Sequence, residues 1–204
     1  MKNYTIFYMN DYRINKNALL DTLKKWDKLL SGRKIHLIAC GGTALTLLGY
    51  KESTKDVDFM VPEEREYERL VSFLQEAGYK QESGSSGWKY PGENIVYDLY
   101  KGKRVFTTEL LESPLREGGH QKIIELAKIY VGVLNPIDWI ITKMFRGASV
   151  DRKDCVTLAK NVSIDTAELR ARFKETAMYD TNPERMLANL EVILDDFKNM
   201  EKEK

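Results

Sequence analysis

With 204 residues the chain is long enough for one large domain or two small ones, and its 43% hydrophobic content is enough to bury a core. Charged residues make up 31% but nearly cancel at a formal net charge of +1, so overall charge gives no reason to expect a polyanion partner, although a local basic patch is compatible with it. Cys40 and Cys155 lie far apart with no CxxC or Cys/His spacing, which argues against zinc and for two reduced thiols in a cytoplasmic protein.

The N-terminal stretch "MKNYTIFYMNDYRIN" has no uninterrupted apolar run, so no secretion signal is expected there. No apolar run approaches the roughly 20 residues of a membrane helix. Leu19, Leu20, Leu23, Trp26 and Leu30 recur at helical spacing, and Ser31-Gly32 ends that helix. Lys34–Cys40, short and apolar, predicts a buried strand. Gly41-Gly42 reads as a break and "TALTLLGY" as a short helix. "KDVDFMVP" predicts a strand with Asp56, Asp58 and Met60 on one face and Val57, Phe59 and Val61 on the other.

Pro62 opens a helix whose apolar stripe is Tyr67, Leu70, Val71 and Leu74, with Gly78 as its C-terminal cap. Gly87–Gly102 reads as a hairpin turning at "PGEN", with Ile95, Tyr97 and Leu99 on one face of its second strand and Val96, Asp98 and Tyr100 on the other. One or two further strands are expected in "KRVFTTEL" and "IIELAKIYVGVLN". From Asn135-Pro136 the pattern turns helical. The first stripe is Ile137, Ile140, Ile141, Met144, Phe145 and Ala148, and a shorter helix is expected around Asp151–Lys160. Asp165 with Glu168 has the spacing of a capping box. Asn182-Pro183 starts a last helix that buries Met186, Leu187, Leu190, Ile193, Leu194 and Phe197. The expectation is an α+β protein: an α/β part over 1–135 and a helical part over 136–204 packed against it.

Asp56 and Asp58 carry the chemistry. Residues i and i+2 of a strand point the same way, about 6.5–7 Å apart, and two carboxylates held there repel each other unless a cation lies between them. A small set of hard oxygen ligands suits Mg²⁺ (or Mn²⁺), which keeps several waters and takes up phosphate oxygens of a substrate. A bare Asp-x-Asp is more often a solvated strand edge. Here, however, a strand, Gly41-Gly42-Thr43 and a helix precede it, and free N–H groups and a hydroxyl at a helix N-terminus form a site for phosphate oxygens. Asp98 is the candidate third carboxylate, because it stands among apolar residues where an unpaired acid is costly. Glu109 is the runner-up, at a stretch that reads as a helix start. Lys143 lies off its helix's apolar stripe, one turn from Arg146.

The glycine pair, short helix and Asp56-Val57-Asp58 together resemble the signature of the DNA polymerase β-like nucleotidyltransferase superfamily. The resemblance implies a small mixed sheet flanked by helices and a nucleoside triphosphate substrate. It implies two divalent metals held by Asp56, Asp58 and Asp98, phosphate contacts from Gly41, Gly42 and Thr43, and transfer of a nucleoside monophosphate to a hydroxyl with loss of pyrophosphate. Pro136, Asp138, Lys143, Arg152, Lys153 and Asp154 resemble a segment of the AbiEii-like, minimal nucleotidyltransferases, which implies a phosphate role for Lys143. It also implies the toxin of a toxin–antitoxin pair, with an antitoxin protein as partner. The resemblance spans roughly 35–160. Many relatives read Arg-x-Thr-x-Asp-x-Asp, whereas Glu52 stands here in the place of that Arg, with Lys51 and Lys55 as neighbours. The acceptor is open among an RNA 3′ end, a protein hydroxyl and a small molecule. The alternative reading is a weak or inactive nucleotide-binding regulator, or a protein-interaction module.

Overall fold

The computed structural model describes residues 13–202, so the secretion-signal reading falls almost wholly outside the described residues. The chain begins with β1 (Ile14–Asn15), α1 (Lys16–Leu29), β2 (Ile35–Ala39), α2 (Gly41–Leu48), β3 (Ser53–Thr54), β4 (Asp56–Val61) and α3 (Glu64–Glu76). Then come β5 (Lys80–Gln81), β6 (Gly87–Lys89), β7 (Val96–Lys101), β8 (Arg104–Val105), β9 (Thr108–Glu109), β10 (His120–Glu125) and β11 (Ile129–Leu134). Four helices follow: α4 (Pro136–Arg146), α5 (Ser149–Asn161), α6 (Thr166–Ala177) and α7 (Pro183–Lys202).

A 7-stranded mixed sheet runs in the order β10-β11-β2-β4-β7-β6-β5. β2 and β4 lie at its centre, and their near-continuous apolar sequences fit burial on both faces: Leu37, Ile38, Ala39, Val57, Phe59, Met60 and Val61 are all at 0% exposure. On one face Tyr97 of β7 meets Trp26 of α1 at 4.9 Å between ring centroids, and α3 packs over β2, β4 and β7. The other face carries Asp56, Asp58, Asp98 and Tyr100. The hairpin expected over 87–102 is β6–β7, pairing Gly87 with Asp98 and Lys89 with Val96.

The region between the hairpin and Asn135 holds four strands rather than one or two. β8 and β9 form their own two-stranded ribbon, and β10 turns back onto β11 at the sheet edge. Glu109 therefore ends a short strand and starts no helix. In α4 the burial is wider than a stripe: Trp139 and Lys143 are buried as well as the expected apolar residues, while Ala148 is exposed ahead of α5. One hydrophobic core includes residues of the sheet, of α1–α3 and of α4–α7. No described helix is long and apolar enough to cross a membrane.

Candidate active site

β4 and β7 run parallel and pair Asp58 directly with Asp98, with Asp56 opposite Val96 one step earlier on the same face. Asp58 is buried, Asp98 half-buried and Asp56 exposed. No ion pair among the described residues includes any of the three, although cations line the same cleft. Asp58 accepts only a long contact from the Tyr100 hydroxyl, at 3.5 Å, and Asp98 accepts from the Ser86 hydroxyl at 2.7 Å. Burial, with the Asp98 charge next in weight, pushes the Asp58 carboxyl from 3.8 up to about 7. Burial also raises Asp98, partly offset by the Ser86 bond. The strand thus holds acidic groups together without neutralising them.

The second half of the site is the start of α2. Sequence periodicity predicts a break at Gly41-Gly42, but the helix begins on Gly41, which sits at φ +54°. A Cβ there would collide with the Asp58 carboxylate, and a Cβ on Gly42 would come within 2.6 Å of the Thr54 hydroxyl. The glycines let the helix N-terminus lie directly against β4. Cys40, the residue before the helix, provides no side-chain cap. Gly41 and Gly42 are therefore left with N–H groups that have no partner within the helix. The Gly41 carbonyl accepts the Trp139 indole N–H at 3.0 Å, which ties α4 to this corner.

Thr43 departs from expectation. It is fully buried, accepts from the Asp58 N–H at 2.8 Å and donates to the Asp56 carbonyl at 3.2 Å. Its hydroxyl is used up in joining α2 to β4 and is not available to phosphate. Its role is to fix where Asp56 and Asp58 sit relative to the helix start.

Lys143 is neither solvated nor free. It is 7% exposed and donates to Asp151 at 3.1 Å and to Asp154 at 2.9 Å. Burial pulls its ammonium down, but Asp154 and Asp151 more than offset this and hold it above the ordinary value. Arg146 grips Asp151 through both Nε and Nη2, and Lys51 reaches Asp154 at 2.9 Å from the α2–β3 connection. The rear motif thus works as an ion cluster. Asp151, besides accepting the Ala148 N–H at the start of α5, pairs with Lys143 and Arg146. Arg152 bonds Asp196 of α7 and faces elsewhere. Asp138 is buried and bonded to Arg172 at 2.5 Å, a tie between α4 and α6.

The two clusters meet in one cleft of about 410 Å³, walled by Gly41, Gly42, Asp56, Asp58, Asp98, Lys143 and Asp154, with Arg13, Lys51, Lys55, Arg146, Phe106 and Val150 among the remaining lining residues. Of the residues the sequence singled out, Asp56, Asp58, Asp98, Gly41, Gly42 and Lys143 line it; Thr43 and Glu109 do not. Sequence reasoning missed Arg13, Phe106 and Trp139. Arg13 enters because β1 pairs with β3, a contact of two-residue strands with no periodic signal. No His, Cys, Asp and Glu group of three or more among the described residues forms a ready-made metal cage. Mg²⁺ asks for less, since one or two carboxylates suffice when phosphates and waters supply the rest. Asp58 and Asp98, paired in register and short of positive charge, fit that requirement.

Three solved structures are similar to this chain. A candidate nucleotidyltransferase from Thermotoga maritima is 18% identical, with 72% of this chain and 94% of that one covered and a TM-score of 0.45. An antigenic nucleotidyltransferase-like protein from Paracoccidioides brasiliensis is 14% identical over 90% of this chain and 88% of its own, with a TM-score of 0.49. A candidate nucleotidyltransferase from H. pylori is 17% identical over 94% and 99% of the two chains, with a TM-score of 0.45. No protein-family model and no curated protein matches the sequence. These likenesses carry no argument about chemistry, which is read from the site itself.

Proposed function

We propose that the chain is a nucleotidyltransferase that takes a nucleoside triphosphate with Mg²⁺ (or Mn²⁺) and transfers the nucleoside monophosphate to a hydroxyl acceptor. The observation that carries this is the in-register pair Asp58–Asp98, with no cationic partner among the described residues, beside a helix start whose glycines expose N–H groups. Asp58, Asp98 and the exposed Asp56 would hold the divalent ion. Bound there, the ion screens triphosphate charge and makes an acceptor hydroxyl more acidic.

The chain's own residues supply the rest. The Gly41 and Gly42 N–H groups donate to phosphate oxygens. The acceptor oxygen bonds to the α-phosphorus, the bond from that phosphorus to the bridging oxygen breaks, and pyrophosphate leaves with the electron pair. Asp98 would take the acceptor's proton. Arg146, Lys55 and Arg13, all in the cleft, offset the charge of the departing pyrophosphate. Lys143, two of whose three N–H donors are held by Asp151 and Asp154, adds its positive charge to the cleft. Arg13 lines the cleft and is anchored on Ser53, the neighbour of Glu52, by bonds of 2.8 and 2.6 Å. In this proposal residues 1–135 carry the reacting groups together with Arg13 and Lys55, and 136–204 add Lys143, Arg146 and Trp139.

The finer proposal, a cytoplasmic AbiEii-like toxin held by an antitoxin protein, is supported by the resemblance of 136–160 alone. The test is pyrophosphate release and labelled-nucleotide transfer with Mg²⁺, offering RNA, protein and small-molecule acceptors in turn. Binding of Mg²⁺–NTP without any release would leave the nucleotide-binding regulator. Equal thermal stabilisation of the wild type and Asp56→Ala/Asp58→Ala by Mg²⁺–NTP would refute the site.

A further inference from the structure

Phe106 combines three features that the fold does not require. It occupies the two-residue turn joining β8 to β9, with φ +52°, and is the one non-glycine residue with positive φ among the described residues. Turns of this length favour Asn, Asp or Gly, and a bulky side chain in this conformation is strained. The residue is also 43% exposed, unusual for a large aromatic side chain. Finally, it lines the cleft that holds Asp56, Asp58, Asp98, Gly41 and Gly42.

The ring is held from within the site. The Arg146 guanidinium lies over it at 5.0 Å from the centroid, and Asp151 in turn grips Arg146. The Tyr100 ring stands 5.0 Å away at 55°, and the Tyr100 hydroxyl reaches the Asp58 carboxylate. Arg104 donates to the Phe106 carbonyl at 3.1 Å and pins the turn. Among the described residues, the only other exposed large apolar side chain in the cleft wall is Val150, at the start of α5. In a cleft lined mostly by charged and polar groups, Phe106 is thus a fixed aromatic ring open to the solvent.

We propose that Phe106 is the platform on which the nucleobase of the donor stacks. The inference rests on the nucleotidyltransferase reading and names how that site holds its substrate. Every base has a π-face, so stacking on Phe106 holds all four bases alike, and base identity is left largely unread. Local strain at a functional residue is retained because the ligand needs the ring there.

The experiment compares wild type with Phe106→Asn, a residue that accepts positive φ, using calorimetry in Mg²⁺. The probes are non-hydrolysable analogues of ATP, GTP, CTP and UTP, with inorganic tripolyphosphate as the ligand without a base. Phe106→Asn is expected to weaken all four nucleotides by about 10-fold or more, to leave tripolyphosphate affinity unchanged and to leave thermal stability unchanged or higher. Equal losses for nucleotides and tripolyphosphate overturn the stacking role, as does unchanged nucleotide affinity, including the case where only transfer to the acceptor falls. A loss of stability in Phe106→Asn, with a matching loss in Phe106→Gly, makes the ring structural and also overturns it. A wild type that binds tripolyphosphate as tightly as nucleotides removes the stacking alone. A wild type that binds neither removes the nucleotidyltransferase reading and the inference with it.

Discussion

Two clusters of charge face one another across the cleft, and only one of them is neutralised. On α4 and α5, Asp151 at 0% exposure and Asp154 at 6% are matched by Lys143, Arg146 and Lys51. On β4 and β7, Asp56, Asp58 and Asp98 stand together with no cationic partner among the described residues. Burying a charge is costly unless it is paired, so the first cluster reads as part of the scaffold. The second is an imbalance that the scaffold tolerates, and imbalances of this kind cluster at functional sites.

The largest effect is expected from Asp58→Asn. If the unpaired cluster holds the divalent ion, transfer should fall at least about 10³-fold, roughly 4 kcal/mol in barrier, with no loss of stability in the metal-free protein. Loss of about 2 kcal/mol or more in chemical denaturation, with Mg²⁺–NTP binding intact, would move Asp58 to the structural side.

The same residue gives the comparison a pH signature. Burial and Asp98 raise the folded-state Asp58 carboxyl from 3.8 to about 7. Between those values the folded protein keeps a proton that the unfolded chain has released, so wild-type stability falls as pH rises through this window and levels off above it. Full ionisation corresponds to a penalty on the order of 4 kcal/mol at most. In EDTA, Asp58→Asn should match the wild type near pH 4 and exceed it by up to a few kcal/mol at pH 8. Parallel stability curves for the two proteins would show that Asp58 carries no such penalty.

The paired cluster should behave in the opposite way. Asp151→Ala leaves Lys143 and Arg146 short of a partner and removes the bond to the Ala148 N–H. A loss of about 3 kcal/mol is expected by denaturation at neutral pH, the scale of breaking a buried pair. A change below about 1 kcal/mol would mean that Asp154 alone balances the cations.

The two clusters also differ in how far the sequence disclosed them. Asp56, Asp58 and Asp98 were legible because strands have period 2 and because three acids interrupt apolar runs; pairing β4 with β7 then brings 58 and 98 into register. The central strands, the β6–β7 hairpin and the capped helices were legible for the same reason: local pattern and local chemistry agree. The Asp151–Lys143 cluster was not, because helical periodicity shows that Lys143 lies off the apolar stripe but not that a second helix arrives to cover it. The hydroxyl partners of Thr43 are hidden in the sequence for a similar reason. A hydroxyl at a helix start serves phosphate or backbone equally well until the neighbouring strand is placed. Phe106 and Arg13 sit in a two-residue turn and beside a two-residue strand, too short for any period.

Gly42→Ala probes the seam between the two halves of the site. The added Cβ meets the Thr54 hydroxyl at 2.6 Å, so Thr54, itself bonded to the Asp56 carbonyl, has to give way. A loss of about 1–2 kcal/mol is expected, with weaker Mg²⁺–NTP binding in the protein that remains folded. Unchanged nucleotide affinity would remove Gly42 from the phosphate site and leave it a packing role.

The smallest effect is the one that tests whether the comparison is a sharp one. Lys51 belongs to the paired cluster by its 2.9 Å contact with Asp154, but it also lines the cleft, and its side chain is 29% exposed. Lys51→Met leaves Asp154 with Lys143, also at 2.9 Å, so no buried charge is stranded. Stability should fall by less than about 1 kcal/mol, as for other partly exposed pairs. If the cations of this cluster also serve phosphate, Mg²⁺–NTP affinity should drop about 5-fold, and the gap should narrow as ionic strength rises, because a partly exposed charge is screened. A drop in stability as large as that of Asp151→Ala, with affinity per folded molecule unchanged, would place Lys51 wholly in the scaffold. A drop in affinity without one would show that the paired cluster lends charge to the unpaired one, and that the line between scaffold and site runs through the side chain of Lys51.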